Sequence, residues 1–332
     1  MTMTDTLVAC CREWGDPLEV LRLERWELPE PGEGQALVRM LAAPINPADI
    51  NVIEGRYGKR PSLPAAVGNE GVGVVERLGP GVDRLTVGQQ VRPVPGVGTW
   101  RGALVAGVEE LTPLPSGLAV EQAAMICVNP ATAWRVLHDF AALAPGDWVL
   151  QNAATSGVGR AVIQIARHLG LHTVNLVRRE AVRPELEGLG ADVVLVEGQV
   201  KLGREIEALT GGARPRLALN GVGGESALEL AKALAPGGTH VTYGAMSRRP
   251  FTVPAGMLIF SDLRFVGFWV TAWYERADAG ETAVMLRALA GLHRSGALGV
   301  NVEARYPLAR AREALGHALR EGRRGKILLE MG

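Results

Sequence analysis

The stretch from Asp147 to Arg179 constrains the fold more than any other part of the chain. It reads D-W-V-L-Q-N-A-A-T-S-G-V-G-R-A-V-I-Q-I-A-R-H-L-G-L-H-T-V-N-L-V-R-R. Trp148 to Leu150 is a short apolar run with the look of a buried strand. A turn of small residues follows, Ala153 to Gly159. Val158, Val162, Ile165, Ala166 and Leu169 then recur at helical spacing up to Gly170, a C-cap candidate. Thr173 to Val177 is the next strand. A strand, a Gly-rich turn, a helix and a strand form the unit that seats a dinucleotide pyrophosphate on a helix N-terminus. Small residues serve access there. The phosphates must reach backbone N–H groups, and the helix must lie close to the strand, so a Cβ at Gly157 or Gly159 would obstruct one or the other. The match to G-x-G-x-x-G is incomplete, because Asn152 and Ala153 stand where the first Gly is expected.

The end of the second strand selects the cofactor. An NAD site places an Asp or Glu about 20 residues past the turn, for the ribose hydroxyls. Here Arg178 and Arg179 occupy that place. A carboxylate would repel a 2′-phosphate, whereas a guanidinium binds it in a forked geometry. The residues therefore point to NADPH.

The chain has 332 residues, too many for one ordinary core, and suits two domains. Lys+Arg and Asp+Glu balance at 35 each, so no net charge argues for nucleic acid or an anionic membrane. No apolar run approaches the ~20 residues that span a bilayer. The N-terminus M-T-M-T-D-T shows neither a secretory signal nor an Arg-rich transit peptide, so the expected location is cytoplasmic. Cys10, Cys11 and Cys127 have no C-x-x-C spacing, which predicts neither a disulfide framework nor a zinc knot.

Residues 5 to about 120 read as mostly β. Runs at Thr6–Cys11, Leu18–Leu23, Ala36–Ala43, Val72–Leu78 and Gln89–Pro93 are punctuated by turns such as P-E-P-G-E-G, which predicts a small barrel or sandwich. Pro44 to Pro64 is irregular, with Asn46 an N-cap, Pro47 at N1 and Asp49 favouring the helix dipole. Glu121–Cys127 and Ala131–Phe140 read as helical, and the strand–helix alternation that follows them predicts a parallel doubly wound sheet. Leu263 to Val270 reads as its last strand. The expected domains are 1–120 with 297–332, and 121–296.

These motifs resemble the medium-chain dehydrogenase/reductase superfamily. Within it the chain is most similar to the trans-2-enoyl-thioester reductases of the mitochondrial enoyl-CoA reductase type. The carrying motifs are N-P-A-D-I-N-V-I-E-G-R-Y-G at 46–58, G-N-E-G-V at 68–72, G-T-W-R at 98–101 and V-N-P-A-T-A-W-R at 128–135. Q-N-A-A-T-S-G-V-G at 151–159, R-L-A-L-N-G-V-G-G at 216–224, V-T-Y-G-A-M at 241–246 and G-F-W-V at 267–270 complete the set. Two departures are Thr155, where the family has Asn before S-G-V-G, and T-A-W-Y-E at 271–275. The resemblance implies a GroES-like β-barrel catalytic domain, completed by the C-terminal tail, and a Rossmann NADP-binding domain. Zinc members carry Cys and His where this chain has Asn46 and Asn69, so no zinc is expected.

By the same resemblance Tyr57 is the catalytic tyrosine. Thr155, Ser156, Gly157 and Val158 form the pyrophosphate turn, and Arg178 and Arg179 contact the 2′-phosphate. Asn129, Tyr243, Gly244, Ala245, Met246, Phe268, Trp269, Val270 and Lys326 are further cofactor contacts. The implied reaction reduces a 2-enoyl thioester, carried by CoA or by acyl-carrier protein, with hydride passing from NADPH to the β-carbon. Tyr57 would donate a hydrogen bond to the thioester oxygen as enolate charge develops, since a phenol remains a donor at neutral pH. The α-carbon proton would come from Tyr57 or from water. Phe268, Trp269 and Trp273 could line an acyl tunnel or belong to the core. A zinc-free quinone or enone reductase is the competing reading within the superfamily, and a non-catalytic nucleotide-binding regulator is one from another class. Family similarity and the apolar Leu263–Val270 run point to a homodimer.

Overall fold

The structure, a computed structural model, describes residues 4–199 and 201–332. It divides into two compact units, Met1–Cys127 with Val300–Gly332, and Val128–Gly299. No described helix is long and apolar enough to cross a membrane.

The first unit opens with β1 (Thr4–Cys11), α1 (Pro17–Val20), β2 (Leu21–Leu28) and β3 (Gln35–Pro44). It continues through α2 (Pro47–Ile53), β4 (Ala65–Ala66), β5 (Val72–Leu78), β6 (Gln90–Pro93), β7 (Ala103–Gly107), β8 (Leu111–Pro113) and α3 (Val120–Met125). The second unit contains α4 (Asn129–Asp139), β9 (Trp148–Gln151), α5 (Gly157–His168), β10 (His172–Val177), α6 (Arg183–Leu189), β11 (Val193–Val196), α7 (Leu202–Leu209) and β12 (Leu217–Asn220). It ends with α8 (Gly224–Ala233), β13 (Thr239–Thr242), α9 (Ala255–Ile259), β14 (Arg264–Gly267), α10 (Val270–Arg276) and α11 (Ala279–Arg294). The chain then returns to the first unit as β15 (Val302–Pro307), α12 (Ala311–Leu319) and β16 (Lys326–Glu330).

In the first unit one sheet has the order β15-β16-β3-β5-β6-β8, with β7 also on β3, and a smaller one has β2-β1-β4. The tail completes this unit, as the GroES-like expectation requires: β16 pairs antiparallel with β3 at Leu328↔Pro44 and Leu329↔Ala43. Trp100, Leu21, Ile53, Leu315, Ile327 and Leu329 meet in its core. Helix α3 packs against β3 and β5, so residues 120–127 lie with this unit.

In the second unit the six strands run β11-β10-β9-β12-β13-β14, all parallel. Leu202 and Ile206 of α7 and Leu230 of α8 pack with Leu150, Val174 and Ala218 of the sheet. Ile163 of α5 and Leu186 of α6 pack with Val177, Val194 and Val196. Helices on both faces explain why these strands read as unbroken apolar runs instead of alternating ones. This is the doubly wound sheet expected.

Two local expectations need correction. Residues 18–23 begin as helix, not strand. Asp16 accepts from the Leu18 N–H at 2.9 Å and Pro17 stands in the first turn, so α1 forms before β2 starts at Leu21. The run 263–270 is strand only from Arg264 to Gly267; Trp269 then caps α10, and Val270 is its first residue. Apolar content alone could not separate a strand end from a helix start there.

Candidate functional site

Parallel α/β sheets bind ligands beyond the carboxyl ends of their strands. The second unit gathers most of the predicted residues there. After β9, Thr155 is exposed and Ser156 caps α5, its hydroxyl accepting from the Gly159 N–H at 3.1 Å. The Gly157 and Val158 N–H groups have no helical carbonyl before them, so they are available to an anion at a helix N-terminus. Arg178 and Arg179 follow β10 directly, and both are exposed. Tyr243 to Met246 follow β13. The Tyr243 N–H donates to Asn220 O at 3.0 Å and the Met246 N–H to Gly221 O at 3.1 Å. Burial pushes the Tyr243 phenol up to about 12, opposed by the Ser156 hydroxyl. After β14, the Phe268 N–H donates to Thr242 O at 2.9 Å. The Phe268 ring is buried and meets Phe140 edge-on, 5.7 Å between centroids. Trp269 is half-buried and Val270 buried; Trp273 is buried too, with the Arg135 guanidinium 4.6 Å from its ring centre, so it belongs to the core. Asn129 opens α4.

The residues suit a dinucleotide pyrophosphate. A Cβ built on Gly159 would lie 2.6 Å from Ala153 O and 2.7 Å from Ala154 Cα, so the helix approaches the turn as closely as backbones allow. The unfilled first-Gly place is explained too. Ala153 adopts φ +49, the left-handed conformation a Gly would have taken without cost.

Tyr57 and Lys326 stand in the first unit. Tyr57 is half-buried, four residues past the end of α2. Lys326 heads β16, where its ammonium donates to Asn46 Oδ1. Asn46 Nδ2 donates to Glu70 Oε2 at 2.9 Å. Asp49, fully buried, accepts from the Asn46 N–H at 2.7 Å, the Asn69 N–H at 2.7 Å and Asn69 Nδ2 at 2.9 Å. Burial pushes the Asp49 carboxyl up to about 6, against the pull of those donors and of Lys326. Burial also lowers the Lys326 amine, against the carboxylates of Glu70 and Asp49. Asn46 thus does cap α2 as expected, but Asp49 does more than complement a dipole: it ties the head of α2 to the 68–70 turn.

This donor set does not fit a zinc ion. Both asparagine amides are engaged with carboxylates, and a lysine ammonium already supplies the positive charge at Asn46. Among the described residues no group of three or more His, Cys, Asp or Glu could hold a metal.

Several polar residues beneath the second unit's turns were missed. Asn152, Asn220, Ser226 and Glu197 form one network, and Gln151 with Asn175 another. The available signal was polar residues ending neighbouring apolar strands: Q-N after W-V-L, and N after L-A-L.

Comparison with known proteins agrees with this layout. Residues 32–126 match the alcohol dehydrogenase GroES-like domain and residues 157–286 the zinc-binding dehydrogenase family. The enoyl-acyl-carrier-protein reductase, mitochondrial, of Xenopus tropicalis is 48% identical over 292 residues, covering 86% of this chain and 83% of that one. The structure of the Etr1p/NADP/crotonyl-CoA complex superposes with a TM-score of 0.90 at 28% identity, over 99% of this chain and 100% of that one. A putative NADPH:quinone reductase from Bacillus thuringiensis gives 0.92 at 28% identity, with the same coverage. One expectation falls here. The cytoplasmic location read from the first residues does not stand, because the Xenopus relative, matched over most of its length, is named a mitochondrial protein. A location inferred from the absence of a leader pattern has no physical hold on the folded part of the chain.

Proposed function

We infer function from one premise: the chain belongs to the enoyl-acyl-carrier-protein reductase family of the medium-chain dehydrogenase/reductase superfamily. It is an oxidoreductase that reduces trans-2-enoyl thioesters with NADPH, a reaction of fatty-acid metabolism. The identity of 48% across most of both chains carries that conclusion.

Bound NADPH supplies the hydride. The chain's own residues supply the seat for it and the handling of charge on the substrate. The N-terminus of α5 receives the pyrophosphate, and Arg178 and Arg179 receive the 2′-phosphate. Their exposure and their place at the end of β10 support that assignment. As the β-carbon is reduced, negative charge develops on the thioester oxygen, and the Tyr57 phenol stabilises it by donating a hydrogen bond. Asn46 and Asn69 stand where zinc members carry Cys and His, and their amides are engaged with Glu70, Asp49 and Lys326, which supports a reaction without zinc.

The acyl carrier, CoA or acyl-carrier protein, is a small-molecule or protein-borne thioester in either case, and the chemistry at the enoyl group is the same. A homodimer is supported by β14, which lies at the sheet edge, and by three exposed side chains beside it, Leu258 at 48%, Ile259 at 70% and Phe260 at 87%. A monomer mass in sedimentation equilibrium would remove that assignment.

The function is tested by NADPH oxidation with crotonyl-CoA and with a benzoquinone. Faster turnover of the thioester is expected; turnover of the quinone alone would replace this reading with the quinone reductase one, and NADPH binding without oxidation by either would favour a regulator. In the same assay, Arg178→Ala with Arg179→Ala should cut the preference for NADPH over NADH by on the order of 100-fold, the worth of two charge-assisted phosphate contacts at about 1.5 kcal/mol each. An unmoved preference would take the 2′-phosphate away from these arginines.

A further inference from the structure

One amide joins the carboxyl ends of β9 and β12. Asn152 is fully buried, and its Nδ2 donates to Asn220 Oδ1 at 2.9 Å and to Ser226 Oγ at 2.9 Å. Its Oδ1 accepts from the Gly221 N–H at 2.7 Å. Because a backbone N–H can only donate, the amide has one permitted orientation. The Ser226 hydroxyl in turn donates a hydrogen bond to Glu197 Oε1 at 2.6 Å, beyond the end of β11.

Asn220 extends the tie. Its Oδ1 also accepts from the Val222 N–H at 3.1 Å and the Gly223 N–H at 2.9 Å, which closes the G-V-G-G turn. Its Nδ2 donates to Thr242 Oγ1 at 3.1 Å, at the end of β13. The loop that follows is held by the same turn, through Tyr243 N–H to Asn220 O, Met246 N–H to Gly221 O, and Ser247 N–H to Val222 O at 2.8 Å. On its other side Asn152 precedes Ala153, the left-handed residue from which the α5 turn begins. Three segments that surround the dinucleotide site are therefore connected through one side chain and its partner.

We propose that Asn152 is the positioning residue of the dinucleotide site, locking the Ala153–Gly159 turn, the Gly221–Gly224 turn and the Tyr243–Met246 loop into a single platform. This rests on the NADPH reading above. The physical basis is preorganisation. Loops that are already ordered lose no further freedom when the ligand arrives, so affinity depends on the lock even though Asn152 is buried beneath the site.

The test measures NADPH dissociation constants by fluorescence titration, with melting temperatures alongside. Asn152→Ala should weaken NADPH binding on the order of 10- to 100-fold, and Ser226→Ala, which removes one of the three bonds, by roughly 2- to 5-fold. Asn152→Ala combined with Asn220→Ala should lose little more than the worse single variant, because the two act as one unit. Ile206→Val, in the core of α7, lowers stability without loosening the strand ends and should bind NADPH as the wild type does. Wild-type affinity in a folded Asn152→Ala protein, or strictly additive losses, overturns the proposal. If Asn152→Ala does not fold, unchanged affinity in Ser226→Ala overturns it. Failure of the wild type to bind NADPH sinks the cofactor reading and this inference together, whereas wild-type binding that survives Asn152→Ala sinks the inference alone.

Discussion

Tyr57→Phe lowers kcat for an enoyl thioester by about 100-fold or more and leaves the NADPH dissociation constant unchanged. The expected size is that of one hydrogen bond made to developing charge, ~10²–10³ in rate. The effect falls on kcat because the bond strengthens as the enolate forms, not when the substrate binds. The local structure holds the backbone that leads to Tyr57 in place. Helix α2 is anchored at its head by Asp49, whose carboxylate takes three donors in a fully buried site. At its far end the Gly55 N–H donates to Val52 O and the Arg56 N–H to Asn51 O, both at 2.8 Å. Gly55 has φ +71, and a Cβ there would lie 2.9 Å from Trp14 Cβ, so only Gly fits this tight turn two residues before Tyr57. The ring is half-buried, and replacing it with phenylalanine keeps that packing while deleting only the hydroxyl. Steady-state kinetics with crotonyl-CoA at saturating NADPH, plus a binding titration, checks both halves. Unchanged turnover would remove Tyr57 from the mechanism, and weakened NADPH binding with unchanged kcat would move it to the cofactor.

What could be read from the sequence was whatever repeats with a period or carries a charge at a fixed offset. The α5 stripe gave the helix, unbroken apolar runs gave the parallel strands, and Arg178 and Arg179 declared themselves by standing where an acid is expected. Long-range ties left no such trace. Nothing in the Q-N-A-A sequence says that Asn152 will bond Ser226, 74 positions later, or that Lys326 will reach Asn46, 280 positions earlier. The missing first Gly looked like a defect because a sequence shows residue type and not φ. Only the structure shows that Ala153 takes the left-handed conformation. The short helix α1 was hidden for a related reason: four residues hold too little periodicity to outweigh the β pattern that follows, although Asp16-Pro17 was a visible start signal. The role proposed for Tyr57 was legible only through family resemblance, since a tyrosine in a loop has no pattern of its own. The location failed because an absent pattern at a chain end is weak ground for any inference.

Gly159→Ala should reduce NADPH affinity by about 100-fold and lower stability by about 1–3 kcal/mol, the usual cost of overpacking. The added methyl would lie 2.6 Å from Ala153 O, 2.7 Å from Ala154 Cα and 2.7 Å from Ala154 O. All three are backbone atoms, so no side chain can swing aside. Relief requires α5 to retreat from β9 or the 153–154 peptides to rotate, and both are opposed. Gln151 Nε2 donates to Gly159 O at 3.0 Å, which binds helix to strand at this point. Asn152 is locked by its three hydrogen bonds, so the adjoining Ala153 has little room to turn. Whichever side yields, the N–H groups at the head of α5 move away from the place proposed for the phosphates, and charge-assisted bonds at a helix N-terminus tolerate such displacement poorly. A matched control separates this close approach from the general effect of placing alanine in a helix. Gly188 of α6 has nothing within 4 Å of an added Cβ, and its backbone is not left-handed. Gly188→Ala should therefore raise stability by about 0.5–1 kcal/mol and leave NADPH binding alone. The same methyl group then stabilises one helix and disables the other. Equal NADPH affinity in the two variants would mean that the Ala153–Gly159 turn does not carry the pyrophosphate, and the site would have to be sought elsewhere along the strand ends.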